Sequence, residues 1–128
     1  MSSLTAFAVD YLPRTKDRIV LDRGHLHSMT DGDVEFEREL VDTYIASARS
    51  LLGAIRSYLL ARDAEAVARE AHGLKGASLN FGARSMAKCA MELETSARSG
   101  NLPKLDEALE QLRVEEQALW TELEHYAH

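Results

Sequence analysis

Apolar residues recur along this chain in steps of three and four. Starting at Asp33, the residues Phe36, Leu40, Tyr44, Ala48, Leu51, Leu52, Ile55 and Leu59 gather on one side of a long helix that fades near Arg62. Glu35, Glu37 and Glu39 crowd its start, where the positive end of the helix dipole favours them. Asp63 is placed to cap a second helix running to about Asn80, and Gly82 is its natural stop because glycine takes the left-handed conformation at little cost. A third helix starts near Ala83 or Arg84, carries Met86, Ala90, Leu93 and Ala97 as its apolar stripe, and ends at Gly100. Pro103, whose missing N–H does no harm in a first turn, opens a last helix with Leu105, Leu109, Leu112, Leu119 and Trp120 as buried candidates. Ahead of these, Asp22 can cap a short helix bearing Leu26 and Met29, closed by the turn Thr30-Asp31-Gly32-Asp33. No stretch alternates with a period of two over strand length. The pattern predicts an all-α protein: an antiparallel up-down four-helix bundle with a short extra N-terminal helix. Residues 1–20 read as an N-terminal arm and residues 21–128 as the bundle.

Composition narrows the function. The 128 residues suit one domain, and 45% hydrophobic with 28% charged residues is the balance of a folded chain. Fifteen Lys and Arg against 21 Asp and Glu give a net charge of −6, which argues against a nucleic-acid partner. No uncharged apolar run approaches the ~18–20 residues that span a bilayer, and the first residues lack the basic start and apolar core of a signal peptide, so a cytoplasmic protein without a membrane partner is expected. Its size makes a monomer the expected state. The single cysteine, Cys89, excludes an internal disulfide and a Cys-rich zinc site. A metal or haem bundle would need Glu-x-x-His on paired helices; Glu122 and His125 form one such pair on the last helix without a second copy, so no metal site is expected.

The helix from Asp63 to Asn80 carries the chemistry. With residues about 100° apart, Val67, Ala71, Leu74, Ser78 and Phe81 gather on the core side. The opposite side carries Glu65, Ala68, Arg69, His72, Gly76 and Leu79, where small and apolar residues surround a histidine. A glycine inside an exposed helix costs roughly 1 kcal/mol relative to alanine. Gly76 lies one turn beyond His72 on the same face and opens space beside the imidazole, and Lys75 flanks that space with a positive charge. Antiparallel helices pair positions mirrored about their turn; with the turn near residues 82–83, residue 72 faces Glu94. A carboxylate there could accept a hydrogen bond from imidazole Nδ1–H, fix the tautomer, and leave Nε2 nucleophilic.

Ala71-His72-Gly73-Leu74-Lys75-Gly76-Ala77-Ser78, followed by Phe81-Gly82-Ala83, resembles the signature of histidine-containing phosphotransfer domains of multistep two-component relays. The resemblance implies that His72 is the phosphorylated residue, that Lys75 holds the phosphoryl oxygens and that Gly76 admits the partner. Glu94 falls where many members place a polar side chain, often glutamine, that bonds the imidazole. The family's partners are response-regulator receiver domains and a hybrid sensor kinase, and the Mg²⁺ of the reaction sits on the receiver, so no cofactor is expected on this chain. Docking is expected on the outward face, Ala68 and Leu79 especially, with Arg69, Lys75, Arg84 and Lys88 making the neighbourhood basic enough to steer an acidic receiver pocket. No GxxxxGK[ST] loop or other nucleotide-phosphate loop occurs, so a phosphocarrier without ATP-dependent kinase activity is expected rather than an enzyme. The alternative is a helical interaction module that binds a signalling partner without ever carrying phosphate.

Overall fold

The computed structural model describes residues 18–127, with side chains through Glu124. The expected N-terminal arm therefore lies, up to residue 17, outside the described residues, as do residue 128 and the side chain of His125. Five helices follow one another: α1 (Arg23–Thr30), α2 (Val34–Leu60), α3 (Ala64–Phe81), α4 (Arg84–Arg98) and α5 (Leu105–Ala127). Helices α2 to α5 close a bundle in which α3 packs on α2 and α4, and α5 on α2 and α4, while short α1 lies against α2. Among the described residues there is no strand, and no helix is long and apolar enough to cross a membrane.

Three aspartates start the first three helices as their positions imply. Asp22, Asp33 and Asp63 each accept a hydrogen bond from the backbone N–H three residues on, at 3.0–3.1 Å. Each satisfies a donor that the helix itself leaves open. Asp63 matters most for function, because it starts the helix that bears His72. Asp63→Ala is expected to lower stability by about 1 kcal/mol in denaturant unfolding. An unchanged midpoint would mean that water replaces the cap without loss.

Gly82 ends α3 with φ +102°, and a Cβ there would meet the Asp22 carbonyl oxygen at 3.2 Å. Both conformation and space therefore require glycine. The segment before α1 uses this closeness. Asp22 N–H donates to the Gly82 carbonyl at 2.8 Å, and the Ile19 carbonyl accepts from Ser85 N–H and Ser85 Oγ at 3.0 and 3.1 Å. His25 Nε2–H donates to the Asn80 carbonyl at 2.9 Å. The N-cap residue of α4, Ala83, offers no side-chain cap, and the Ile19 carbonyl takes that role from a distant part of the chain. Residues 18–22 thus strap the α3–α4 hairpin.

The core is aliphatic around Leu26, Leu52, Ile55, Leu59, Leu74, Met86, Leu112 and Leu119. Tyr44 and Phe81 stack with centroids 4.3 Å apart, and Tyr44 Oη shares a 2.7 Å hydrogen bond with Ser78 Oγ in the α2–α3 seam. Burial pushes the Tyr44 phenol up to about 12 against the effect of that bond. Phe36, expected on the buried face, is 43% exposed. Helix α2 has 27 residues and α3 has 18, so the first turns of α2 run beyond the end of α3.

One core carboxylate is out of the ordinary. Glu115 on α5 is buried and meets Arg18 at 3.1 Å. Burial pushes its carboxyl from 4.5 up to about 7, while the nearby guanidinium works against that. A carboxyl whose folded pKa is raised holds its proton in the native state after the unfolded chain has lost it. Stability should therefore fall as pH rises from about 4.5 to about 7, by at most about 3 kcal/mol. Glu115→Gln should flatten this part of the profile in thermal unfolding followed from pH 5 to 8. A slope that survives the substitution would place its origin elsewhere.

Candidate functional site

Helix α3 presents His72 outward, with 61% of its side chain exposed. Its Nδ1 lies 2.9 Å from Glu94 Oε2 on α4. An ionised carboxylate only accepts, so Nδ1 carries the proton and Nε2 carries the free lone pair. Among the described residues Nε2 has no hydrogen-bond partner. The pairing of residues 72 and 94 follows the mirror relation of an antiparallel hairpin whose turn is locked by Gly82.

Glu94 is the hub of the site, with 9% of its side chain exposed. Lys75 Nζ donates to Oε1 at 3.1 Å, and Arg98 donates to Oε2 through Nε at 2.9 Å and Nη2 at 2.8 Å. Burial on its own would raise the Glu94 carboxyl, but the bonds from Arg98, Lys75 and His72 outweigh it and hold it down to about 2. Glu94 is therefore an anion at any pH near neutrality and a permanent acceptor for Nδ1–H. Lys75 flanks the imidazole and is tied to Glu94, with 26% of its side chain exposed.

Gly76 leaves the notch that its position implies. A Cβ added there would meet nothing within 4 Å. Among the described residues no packing requires the glycine, and it weakens the helix. Gly53 in α2 is equally open, so openness by itself does not mark a site. Gly76 is distinguished by lying one turn from an exposed, tautomer-fixed imidazole. Gly73, given no role by the sequence, adjoins His72. A Cβ there would lie 3.2 Å from Leu51 Cδ2, so this glycine lets α2 approach α3 closely beside the histidine.

The expected docking residues fare differently. Leu79 is exposed on the His72 face. Arg69 is exposed, 3.2 Å from Glu70 Oε2 and 5.8 Å above the Tyr58 ring. Ala68 is only 4% exposed and belongs to the core cluster, which corrects its placement on the outward face. The reason is azimuth: Ala68 lies within about 20° of Lys75 around the helix, the side that α4 covers. Arg84 is exposed but stands at the hairpin end, its Nε 3.7 Å from Asp22 Oδ2. Ten residues separate His72 from Gly82, so that end is roughly 15 Å from the imidazole along the helix. Arg98, absent from the sequence reading, completes the site. Its signal was the Glu94–Arg98 spacing of four within one helix.

A helical bundle that displays one fixed imidazole, flanked by a lysine and a bare notch, is the architecture of a histidine phosphocarrier. Residues 39–128 match the family model for the Hpt domain, and the chain belongs to that family of phosphotransfer carriers in multistep phosphorelays. It is 26% identical over 94 residues to the phosphorelay intermediate protein rdeA of Dictyostelium discoideum, a match covering 73% of this chain and 37% of that protein. The chain thus spans little more than a third of that curated relative's length. Among solved structures it resembles the crystal structure of histidine-containing phosphotransfer protein B (HptB) from Pseudomonas aeruginosa PAO1. The TM-score is 0.77 at 30% identity, covering 84% of this chain and 94% of that one.

Proposed function

We propose that this protein accepts a phosphoryl group on His72 Nε2 from the aspartyl phosphate of one receiver domain and passes it to the aspartate of another, with a hybrid sensor kinase upstream. The observation that carries the reading is the 2.9 Å bond from Nδ1–H to Glu94, which leaves Nε2 unprotonated on the exposed edge of the ring. In transfer, the Nε2 lone pair forms the P–N bond. The bond from phosphorus to the aspartyl oxygen breaks, and its electron pair leaves with the receiver's carboxylate. The ring keeps its Nδ1 proton, and the positive charge it gains lies beside the Glu94 carboxylate. Such electrostatic compensation lowers the barrier without proton loss to solvent.

The reverse step uses the same atoms, so the carrier works in both directions. We assign the reaction's Mg²⁺ to the receiver, no cofactor to this chain, and no ATP-dependent kinase activity to it. The docking face supported by the geometry is Arg69, Gly73, Gly76 and Leu79 of α3 with Leu51 of α2. A monomer acting in the cytoplasm fits this role.

Incubation with a panel of phosphorylated receiver domains tests the reading. Rapid transfer of label from at least one of them supports it, and binding without transfer would favour the interaction module. Lys75→Ala should slow uptake or shorten phosphohistidine lifetime by roughly tenfold or more, because one donor to the phosphoryl oxygens is lost. If neither quantity moves, Lys75 serves Glu94 alone.

A further inference from the structure

The donors to Glu94 divide between its two oxygens. Lys75 alone takes Oε1, at 3.1 Å. His72 and Arg98 share Oε2, with Arg98 bonding it through two nitrogens at 2.9 and 2.8 Å. We infer that Arg98 is a positioning residue: it keeps Glu94 paired and in place when Lys75 turns from Oε1 to the incoming phosphoryl group, so that the Nδ1 bond outlasts the transfer. This rests on the phosphocarrier reading and adds to it a residue and an order of events.

The argument is one of charge. A phosphoryl group on Nε2 brings two negative charges to within a turn of Lys75, whose flexible ammonium then has two competing anions. If Lys75 were the only counter-ion of Glu94, its departure would leave a largely covered carboxylate uncompensated beside a new dianion. Losing one partner of a covered ion pair is costly, and Lys75 would be held back from the phosphoryl group. Arg98 removes the conflict because it grips the other oxygen. Its guanidinium is permanently charged and bonds through a fixed fork, so its hold does not depend on Lys75. Arg98 closes α4, and its side chain bends back one turn to reach Glu94, as helix geometry directs. Its bonds go to Glu94 Oε2, the oxygen that also accepts from His72, so it acts on the imidazole through Glu94.

The bland account makes Arg98 an ordinary surface pair at a spacing of four, worth a few tenths of a kcal/mol in isolated helices. The two accounts separate in a double-mutant cycle with Glu94→Gln, because a neutral amide needs no counter-ion. The probe is a receiver domain phosphorylated on its aspartate. Uptake rate is measured for wild type, Arg98→Ala, Arg98→Lys, Glu94→Gln and the Glu94→Gln/Arg98→Ala pair. The ¹⁵N spectrum of His72 in the unphosphorylated proteins reports the Nδ1–H tautomer.

Arg98→Ala is expected to slow uptake about tenfold, within the range for residues sharing one hydrogen-bond network. It should also lower the Nδ1–H population, and Arg98→Lys should recover part of both losses. In the Glu94→Gln background, removing Arg98 should change uptake by less than about twofold. Equal losses in both backgrounds, or no loss in the wild-type background, would overturn the role of Arg98 while leaving the phosphocarrier reading intact. A wild type that takes no label from any receiver would overturn both.

Discussion

Glutamine in place of His72 reduces phosphoryl uptake to background while the bundle stays folded. The loss should be on the order of 10³ or more, because removing the nucleophile leaves no group in this site to replace it. Stability should hardly move. The imidazole is mostly exposed, and its one bond, to Glu94, can be taken over by the glutamine amide. Lys75 and Arg98 continue to hold the carboxylate. Uptake from a phosphorylated receiver and a thermal melt, measured side by side, check both halves. Residual transfer at a tenth of the wild-type rate would mean that another side chain carries the phosphate.

Gly76→Gln should make the protein more stable and less active at once. Glutamine is a better helix former than glycine by roughly 0.5–1 kcal/mol, and nothing among the described residues obstructs its Cβ. A partner's acidic cleft, however, must come within bonding distance of Nε2 across that spot. A displacement of about 1 Å at a reacting centre can cost on the order of 10²-fold in rate, and a side chain of this size imposes at least that. Gly53→Gln is the control. It fills an equally open helical position on α2, facing away from α3, and should raise stability with no effect on transfer. If Gly76→Gln transfers phosphate as the wild type does, the notch serves no partner.

Much of this site was legible because its parts are local. His72, Lys75 and Gly76 stand at spacings of three and four, so one helical wheel brings them together. Glu94 required only the mirror relation about Gly82. What the wheel does not provide is the side on which a neighbouring helix docks. Ala68 and Gly76 lie at similar distances around the helix from His72 but in opposite directions. Helix α4 covers the first and leaves the second open.

The ion pair of Lys75 with Glu94 is hidden from the wheel for a related reason: the neighbouring helix brings the carboxylate within reach of the ammonium. Phe36 lost its expected burial to the unequal lengths of α2 and α3, which the periodicity of one helix does not reveal. The strap of residues 18–22 is held largely by backbone groups and leaves little sequence signature.

The central claim places a phosphoryl group on one ring nitrogen, and that atom can be observed. Protein labelled with ¹⁵N-histidine is mixed with a receiver domain carrying an aspartyl phosphate, and the imidazole resonances are followed with ³¹P coupling. The account predicts phosphorus on Nε2 of residue 72, with Nδ1 still protonated toward Glu94. An unaltered His72 spectrum while the receiver loses its phosphate, or phosphorus on any other residue, would contradict it.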